Sequence, residues 1–228
     1  MNQESTVEKI KEIVGGMSMG SDHTIDHVMR VHALCLKLAK AEKEKVNLEV
    51  LEVATLLHDI GQGKEAVDDS GKTDHAVESA KMAKPILEKL GFSEKKIKHI
   101  QNCIVSHRYK NNHKPETIEA KLLFDADKLD AIGAVGIARS YIWFGRHNCK
   151  IFKEVKSLKR YLRENFRGGV HGRIKDKSKH SMQLEYEVKL KFVVGRLHTK
   201  KAKDIGRKRL AFIREFMDRL KKEVNGEI

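Results

Sequence analysis

The sequence predicts an all-α protein. Apolar residues recur three and four positions apart through most of the chain, which is the spacing of amphipathic helices. Alternating, strand-like runs are no longer than a few residues, and two prolines and few aromatic residues suit helices better than a β-sandwich or barrel. With 228 residues, the chain is long enough to bury a sizeable core.

The spacing and the capping residues predict a series of helices. The segment Ser5–Glu8 resembles a capping box in front of the first helix, and Asp74 or Thr73 is placed to cap the fourth. A stretch rich in Gly, Lys, Asp and Ser, 61–71, is predicted to be a loop. The predicted helices are, in order, 5–15, 23–44, 48–58, 74–91, 93–107, 116–130, 131–144, 152–165, 181–197 and 199–224.

Cysteine usage and hydropathy favour a cytoplasmic location. Cys35, Cys103 and Cys149 are odd in number and widely spaced, so a disulfide framework is not expected. No apolar run approaches the ~20 residues that span a bilayer, and the first residues lack the pattern of a signal peptide. We therefore expect no membrane partner.

The positive charge is concentrated in the last third of the chain. Residues 1–149 hold 22 Lys and Arg against 22 Asp and Glu, whereas residues 150–228 hold 24 against 10. Such a region is suited to binding a polyanion, including nucleic acid. The alternative is a lysine-rich solvated face, because acidic residues interleave with the basic ones there.

Histidines and aspartates lie at or near the ends of several predicted helices. The apolar run 54–57 leads into His58-Asp59 and is followed at once by Gly61, so this pair is expected at the rim of a pocket. The full set of candidate ligands is His27, His58, Asp59, His75, His107 and Asp127. Mixed imidazole and carboxylate ligands suit Mn²⁺, Fe²⁺, Co²⁺, Ni²⁺ or Zn²⁺, with Mg²⁺ as a further candidate.

These motifs resemble the HD-domain superfamily of metal-dependent phosphohydrolases, in which a His, an adjacent His-Asp and a distant Asp bind one metal ion. The matching segments are Asp26–Val31, Leu56–Gly61 and Asp125–Arg139, the last reading DADKLDAIGAVGIAR. The closest likeness is to small stand-alone bacterial and archaeal members, and Thr199–Leu220 is similar to their final helix. One departure lies before His27, where those relatives usually carry His-Asp and this chain carries His23-Thr24.

The resemblance implies a helical bundle with additional C-terminal helices. The corresponding division is an N-terminal helix and loop (1–22), an HD core (23–145) and a basic C-terminal extension (146–228). It also implies that His27, His58, Asp59 and Asp127 bind the metal.

The resemblance further suggests which residues act on the substrate. His75 and His107 fall where relatives place either ligands of a second metal or groups that face the phosphate. Lys64 and Arg139 are candidates for pairing with phosphate oxygens, although exposure for Lys64 and a core ion pair for Arg139 are the alternatives. Asp59 or Asp130 could guide the proton of the attacking water, and Asp130 could instead orient a ligand or end a helix.

The expected activity is metal-assisted hydrolysis of a phosphoester or phosphoanhydride bond, most naturally in a nucleotide. The main alternative is a nucleotide- or nucleic-acid-binding protein with a vestigial metal site and a basic C-terminal surface. A di-iron oxygenase and a regulatory domain of the stringent-response type are weaker alternatives. Base recognition would depend on the loops 109–115 and 146–172, whose conformation the sequence does not determine.

Overall fold

The computed structural model describes residues 6–17, 25–68, 70, 72–108, 113–167 and 173–228. These residues form helices almost throughout, which confirms the predicted all-α class. The chain divides into two compact units, Met1–Asp127 and Lys128–Ile228. The division at residues 22 and 145 stays a prediction.

The first unit is built from helices connected by short segments. They are α1 (Thr6–Gly15), α2 (Ile25–Ala39), α3 (Leu48–Leu57), α4 (Gln62–Ala66), α5 (His75–Lys89), α6 (Glu94–Ser106) and α7 (Ile118–Asp130), the last of which continues into the second unit. Helix α3 packs against α1, α2 and α6, and α5 packs against α6.

Helix α3 forms the centre of this unit because six of its ten side chains are apolar and buried. Asn47 begins the helix, where its side chain accepts a hydrogen bond from the backbone N–H of Val50. The helix ends at His58, directly after the buried Leu56 and Leu57. A helix with a buried apolar C-terminal half therefore brings His58 and Asp59 to a fixed position.

The second unit is also helical. Its elements are α8 (Gly133–Arg146), α9 (Leu158–Asn165), the paired strands β1 (Phe166–Arg167) and β2 (Arg173–Ile174), α10 (Met182–Val188), α11 (Val193–Arg196) and α12 (Lys200–Val224), with single 3₁₀ turns at Lys177–Lys179 and Leu190–Phe192. Gly133 begins α8 at φ +81°, and a Cβ there would lie 2.9 Å from the Arg209 side chain of α12. Glycine is thus required both by the backbone conformation and by the close approach of α12.

Several predicted boundaries were wrong. Helix α2 ends at Ala39 rather than Glu44, because the buried apolar positions stop there and the following residues are mostly charged. The chain at 152–157 is not helical, since Ser157 caps α9 and accepts from the Arg160 N–H. The predicted helix 181–197 is broken at Lys189, whose backbone leaves the helical region.

The loop predicted at 61–71 contains the short helix α4, which packs against α5. The two-residue strands were missed because no alternating pattern can show in so few residues. Parts of the two loops assigned to base recognition, 109–112 and 168–172, lie outside the described residues. Within the described ranges, no helix is long and apolar enough to cross a membrane.

Candidate metal centre

Asp59 lies at the centre of a cluster of histidines in the first unit. Its Oδ2 is 3.5 Å from His27 Nε2 and 3.5 Å from His58 Nε2. Its Oδ1 is 3.5 Å from His75 Nε2 and 3.5 Å from His107 Nε2. The side chain is almost fully buried. Each carboxylate oxygen therefore faces its own pair of imidazole nitrogens.

The first group of candidate ligands joins three helices. His27 comes from the first turn of α2, His58 from the end of α3 and Asp127 from α7, and ligand atoms of these three residues lie within 4.8 Å of one another. His27 Nε2 is 3.4 Å from Asp127 Oδ1. This group, together with Asp59 Oδ2, is called cluster A.

The second group lies on the other oxygen of Asp59. His75 is the first residue of α5 and His107 follows the last residue of α6, and their Nε2 atoms are 3.3 Å apart. His107 is 2% exposed and His75 14% exposed. These two histidines with Asp59 Oδ1 are called cluster B.

Hydrogen bonds on the far side of the rings determine which nitrogen faces the centre. His58 Nδ1 lies 2.6 Å from the carbonyl oxygen of Thr55, and His107 Nδ1 lies 2.5 Å from that of Ile104. A carbonyl oxygen only accepts, so Nδ1 carries the proton and, in the neutral ring, Nε2 presents its lone pair to Asp59. His58 Nε2 is buried and has no hydrogen-bond partner among the described residues.

Burial keeps His58 in the neutral form that binds metals. Removal from water lowers the pKa of His58 to about 4, and the neighbouring Asp59 carboxylate only partly offsets this effect. At neutral pH the ring is uncharged, and its Nε2 lone pair faces carboxylate oxygens that are also electron-rich. A divalent cation placed between these donors would attract each of them and so offset their mutual repulsion.

The spacing of the donors fits such a cation. Two ligand atoms about 2.1 Å from one ion lie roughly 3.0–3.4 Å apart at the angles of octahedral or tetrahedral coordination. The four distances from the Asp59 oxygens to histidine Nε2 atoms are 3.5 Å, slightly wider than this range, and the 3.3 Å between the Nε2 atoms of His75 and His107 lies within it. Both clusters offer nitrogen and oxygen and no thiolate, which matches the divalent ions considered above.

Two residues that the sequence did not single out support cluster B. The Glu65 carboxylate accepts a hydrogen bond from His75 Nδ1 and another, 2.6 Å long, from Arg108. Burial raises the pKa of Glu65, but the hydrogen bonds from His75 and Arg108 outweigh burial and lower it to about 2. Glu65 is therefore ionised at neutral pH. Neither residue shows a periodic signal, and they are brought together only by the fold.

Gly61 allows α5 to approach the His-Asp pair closely. A Cβ at this position would lie 2.6 Å from the backbone nitrogen of Ser79 and 2.8 Å from the carbonyl oxygen of His75. The Gly61 N–H donates to Ser79 Oγ at 2.9 Å. The glycine thus lets the turn that carries His75 pack directly against the segment that follows Asp59.

The remaining predicted site residues have other contacts. Lys64 is more than half exposed, and its Nζ lies 3.1 Å from Glu78. In the second unit, Arg139 donates to the buried carboxylate of Asp130 at 2.6 Å, as the core ion-pair alternative requires. Their contacts with a substrate stay predictions, and His23 lies outside the described residues.

Residues 24–132 match the HD domain family. The chain is similar to the uncharacterised protein YpgQ of Bacillus subtilis, at 31% identity over 141 residues that cover 60% of this chain and 64% of YpgQ. It also resembles ribonuclease Y of Borreliella burgdorferi, at 35% identity over 91 residues that cover 40% of this chain and 16% of the ribonuclease. The chain thus spans less than two thirds of the length of these relatives.

Solved structures show the same fold. An HD-superfamily hydrolase from Bacillus thuringiensis superposes with a TM-score of 0.67 at 26% identity, covering 96% of both chains. The crystal structure of Bacillus subtilis YpgQ in complex with ADP superposes with a TM-score of 0.69 at 22% identity, covering 97% of this chain and 99% of YpgQ.

Proposed function

Since the chain belongs to the HD-domain superfamily of hydrolases, we propose that it hydrolyses a phosphoester or phosphoanhydride bond of a nucleotide with the help of a bound divalent metal ion. The observation that carries this proposal is the arrangement around Asp59, whose two oxygens each face a pair of histidine nitrogens. That donor set is suited to a hydrolytic metal centre.

The chain's own residues would hold and orient the reactants. His27, His58, Asp59 and Asp127 would hold one ion through cluster A. His75 and His107 either complete a second site with Asp59 or face the phosphoryl group of the substrate. When bound, a divalent ion lowers the pKa of a water molecule towards neutrality and polarises a phosphoryl oxygen.

Burial supports the roles proposed for these side chains. His58, Asp59 and His107 are each at most 2% exposed, so they are held by packing before any ligand arrives. The backbone carbonyls of Thr55 and Ile104 hold the protons of His58 and His107 away from the centre. The chain therefore presents lone pairs rather than protons to the incoming ion and substrate.

A nucleotide is the substrate class we favour. Its phosphates are anionic and would meet the charge of the bound ion, and the related protein YpgQ has been crystallised with ADP. We propose a cytoplasmic location, where nucleotides are abundant.

The proposal is tested by measuring phosphate and pyrophosphate release from nucleoside mono-, di- and triphosphates and cyclic dinucleotides, with Mn²⁺, Mg²⁺, Co²⁺ or Ni²⁺ added. Wild type is compared with Asp59→Ala and with Glu88→Ala, an exposed position on α5. We expect metal-dependent release that Asp59→Ala abolishes and Glu88→Ala leaves intact. Release that persists in Asp59→Ala, or that no metal stimulates, would contradict the proposal.

The second candidate is a nucleotide- or nucleic-acid-binding protein with a vestigial metal site. The excess of 24 basic over 10 acidic residues in 150–228, and the similarity to ribonuclease Y, favour including RNA in the same panel. RNA binding that weakens steeply with salt and is unaffected by Asp59→Ala, without hydrolysis of any substrate, would support this candidate instead.

A further inference from the structure

We infer that Glu65, held by Arg108, is a positioning residue that orients His75 and thereby determines whether a second divalent ion binds at cluster B. The inference rests on the proposed function in one respect, which is that the bound ligand is a divalent metal ion. The contacts that carry it all lie within the first unit.

Glu65 fixes His75 at two points. Its Oε2 accepts from His75 Nδ1 and also from the His75 backbone N–H at 3.2 Å. One oxygen therefore holds both the imidazole ring and the first turn of α5. With the Nδ1 proton directed to Glu65, Nε2 is left facing Asp59 Oδ1 and His107 Nε2.

Arg108 holds Glu65 in place. Its Nη2 donates to Glu65 Oε1 at 2.6 Å, and its Nη1 lies 3.0 Å from Asp74 Oδ1. Asp74 is in turn the N-cap of α5, where it accepts from the Ala76 N–H. Arg108 directly follows His107 in the chain, so one guanidinium links the ends of α4, α5 and α6.

His75 needs this outside support because of its position in its helix. His58 and His107 lie at helix C-termini, and each donates from Nδ1 to the carbonyl three residues earlier in its own helix. His75 is the first residue of α5, so no helical carbonyl precedes it. Its orientation therefore depends on a side chain from another element, and that side chain is Glu65.

The two clusters should consequently respond differently to loss of Glu65. Cluster A draws its ligands from the ends of α2 and α3 and from α7, whereas Glu65 lies on α4. Cluster B loses the partner that orients one of its two imidazoles. Removal of an outer hydrogen-bond partner typically weakens metal binding about 10–100-fold.

The test is to titrate the metal-free protein with Mn²⁺ alone and to monitor binding by calorimetry and by electron paramagnetic resonance. Wild type is expected to bind two ions, with the signal of an exchange-coupled pair. Glu65→Gln, nearly equal in size to glutamate, should bind the first ion as wild type does and the second about 10–100-fold more weakly. With one equivalent of Mn²⁺ added, the electron paramagnetic resonance signal of this variant should be that of an isolated ion. Glu88→Gln on α5 is the matched control and should behave as wild type.

A mutant cycle separates positioning from general stability. In a His75→Ala background, Glu65→Gln should cause no further loss of second-ion affinity, because the ring it orients is gone. Arg108→Gln leaves Glu65 in the chain but removes its ion-pair partner, and it should also lower the affinity for the second ion. This variant tests the inference if Glu65→Gln folds poorly.

Three results would overturn the inference. Glu65→Gln could bind two ions with wild-type affinity, Glu65→Gln could lose affinity for both ions equally, or the wild type could bind only one ion. Failure of the proposed function gives a different result. In that case the wild type and the variants bind ions as expected here, but no phosphorylated substrate is hydrolysed.

Discussion

Substitution of Gly61 by alanine tests whether the close approach of α5 sets the geometry of cluster B. The added Cβ would lie 2.6 Å from Ser79 N, 2.8 Å from His75 O and 2.9 Å from Glu78 Cβ, whereas ordinary contacts begin at 3.4 Å. Two of the three atoms belong to the backbone, so no side-chain rotation relieves the overlap. The start of α5 must retreat by about 0.8 Å, which moves His75 away from Asp59.

We expect Gly61→Ala to lower the free energy of unfolding by about 1–3 kcal/mol, the usual cost of overpacking a well-packed site. Urea unfolding measures this loss, and Mn²⁺ titration should show weaker binding of the second ion with the first retained. Gly145→Ala in α8 is the control, because a Cβ there meets no atom within 4 Å; it should be neutral or stabilising by up to about 1 kcal/mol. Equal stabilities and equal metal binding for wild type and Gly61→Ala would refute the steric argument.

Two further predictions concern charged residues that belong to neither cluster. Burial raises the pKa of Glu185, but Lys189 and His180 outweigh burial and lower it to about 2 from 4.5. Ionised Glu185 therefore stabilises the folded state above pH 4.5, on the order of 3 kcal/mol. That contribution is lost as the pH falls towards 2. In urea unfolding, Glu185→Gln should be less stable than wild type at pH 7 with a smaller difference at pH 3; a difference that does not change with pH would count against this assignment. Lys64→Ala should change the free energy of unfolding by less than about 1 kcal/mol, because its ion pair with Glu78 is exposed. If Lys64 binds phosphate, KM for the nucleotide rises in this variant, and an unchanged KM would remove Lys64 from the site.

The main helices and the position of the His-Asp pair at the end of an apolar helix could be predicted because both depend on local patterns. The apolar spacing of α3 is continuous up to Leu57, and the structure buries those side chains as the spacing requires. Residues 24–132 match the HD domain family, which is the family that the His27, His58-Asp59 and Asp127 motifs indicated. These signals are contained within short stretches of sequence.

The support of cluster B could not be predicted because it depends on tertiary contacts. Glu65 and Arg108 are 43 residues apart in sequence, and each is a charged residue in a polar segment, where exposure is the ordinary expectation. Helix α4 is only five residues long, too short to show a period or to be stable without α5. The same holds for Gly61, which the sequence presents as a helix end and which the fold uses for close packing against Ser79.

Clusters A and B, on the two sides of Asp59, are therefore held in place by different interactions. Cluster A is attached to core helices, so changing the position of His27 or His58 would mean repacking buried apolar side chains. Cluster B depends on the ends of α5 and α6 and on an ion-paired network in which Arg108 is still 17% exposed. Substitutions in that network can change cluster B without creating a cavity in the core. Affinity for the proposed second ion is thus the property that sequence change could adjust at the lowest cost in stability.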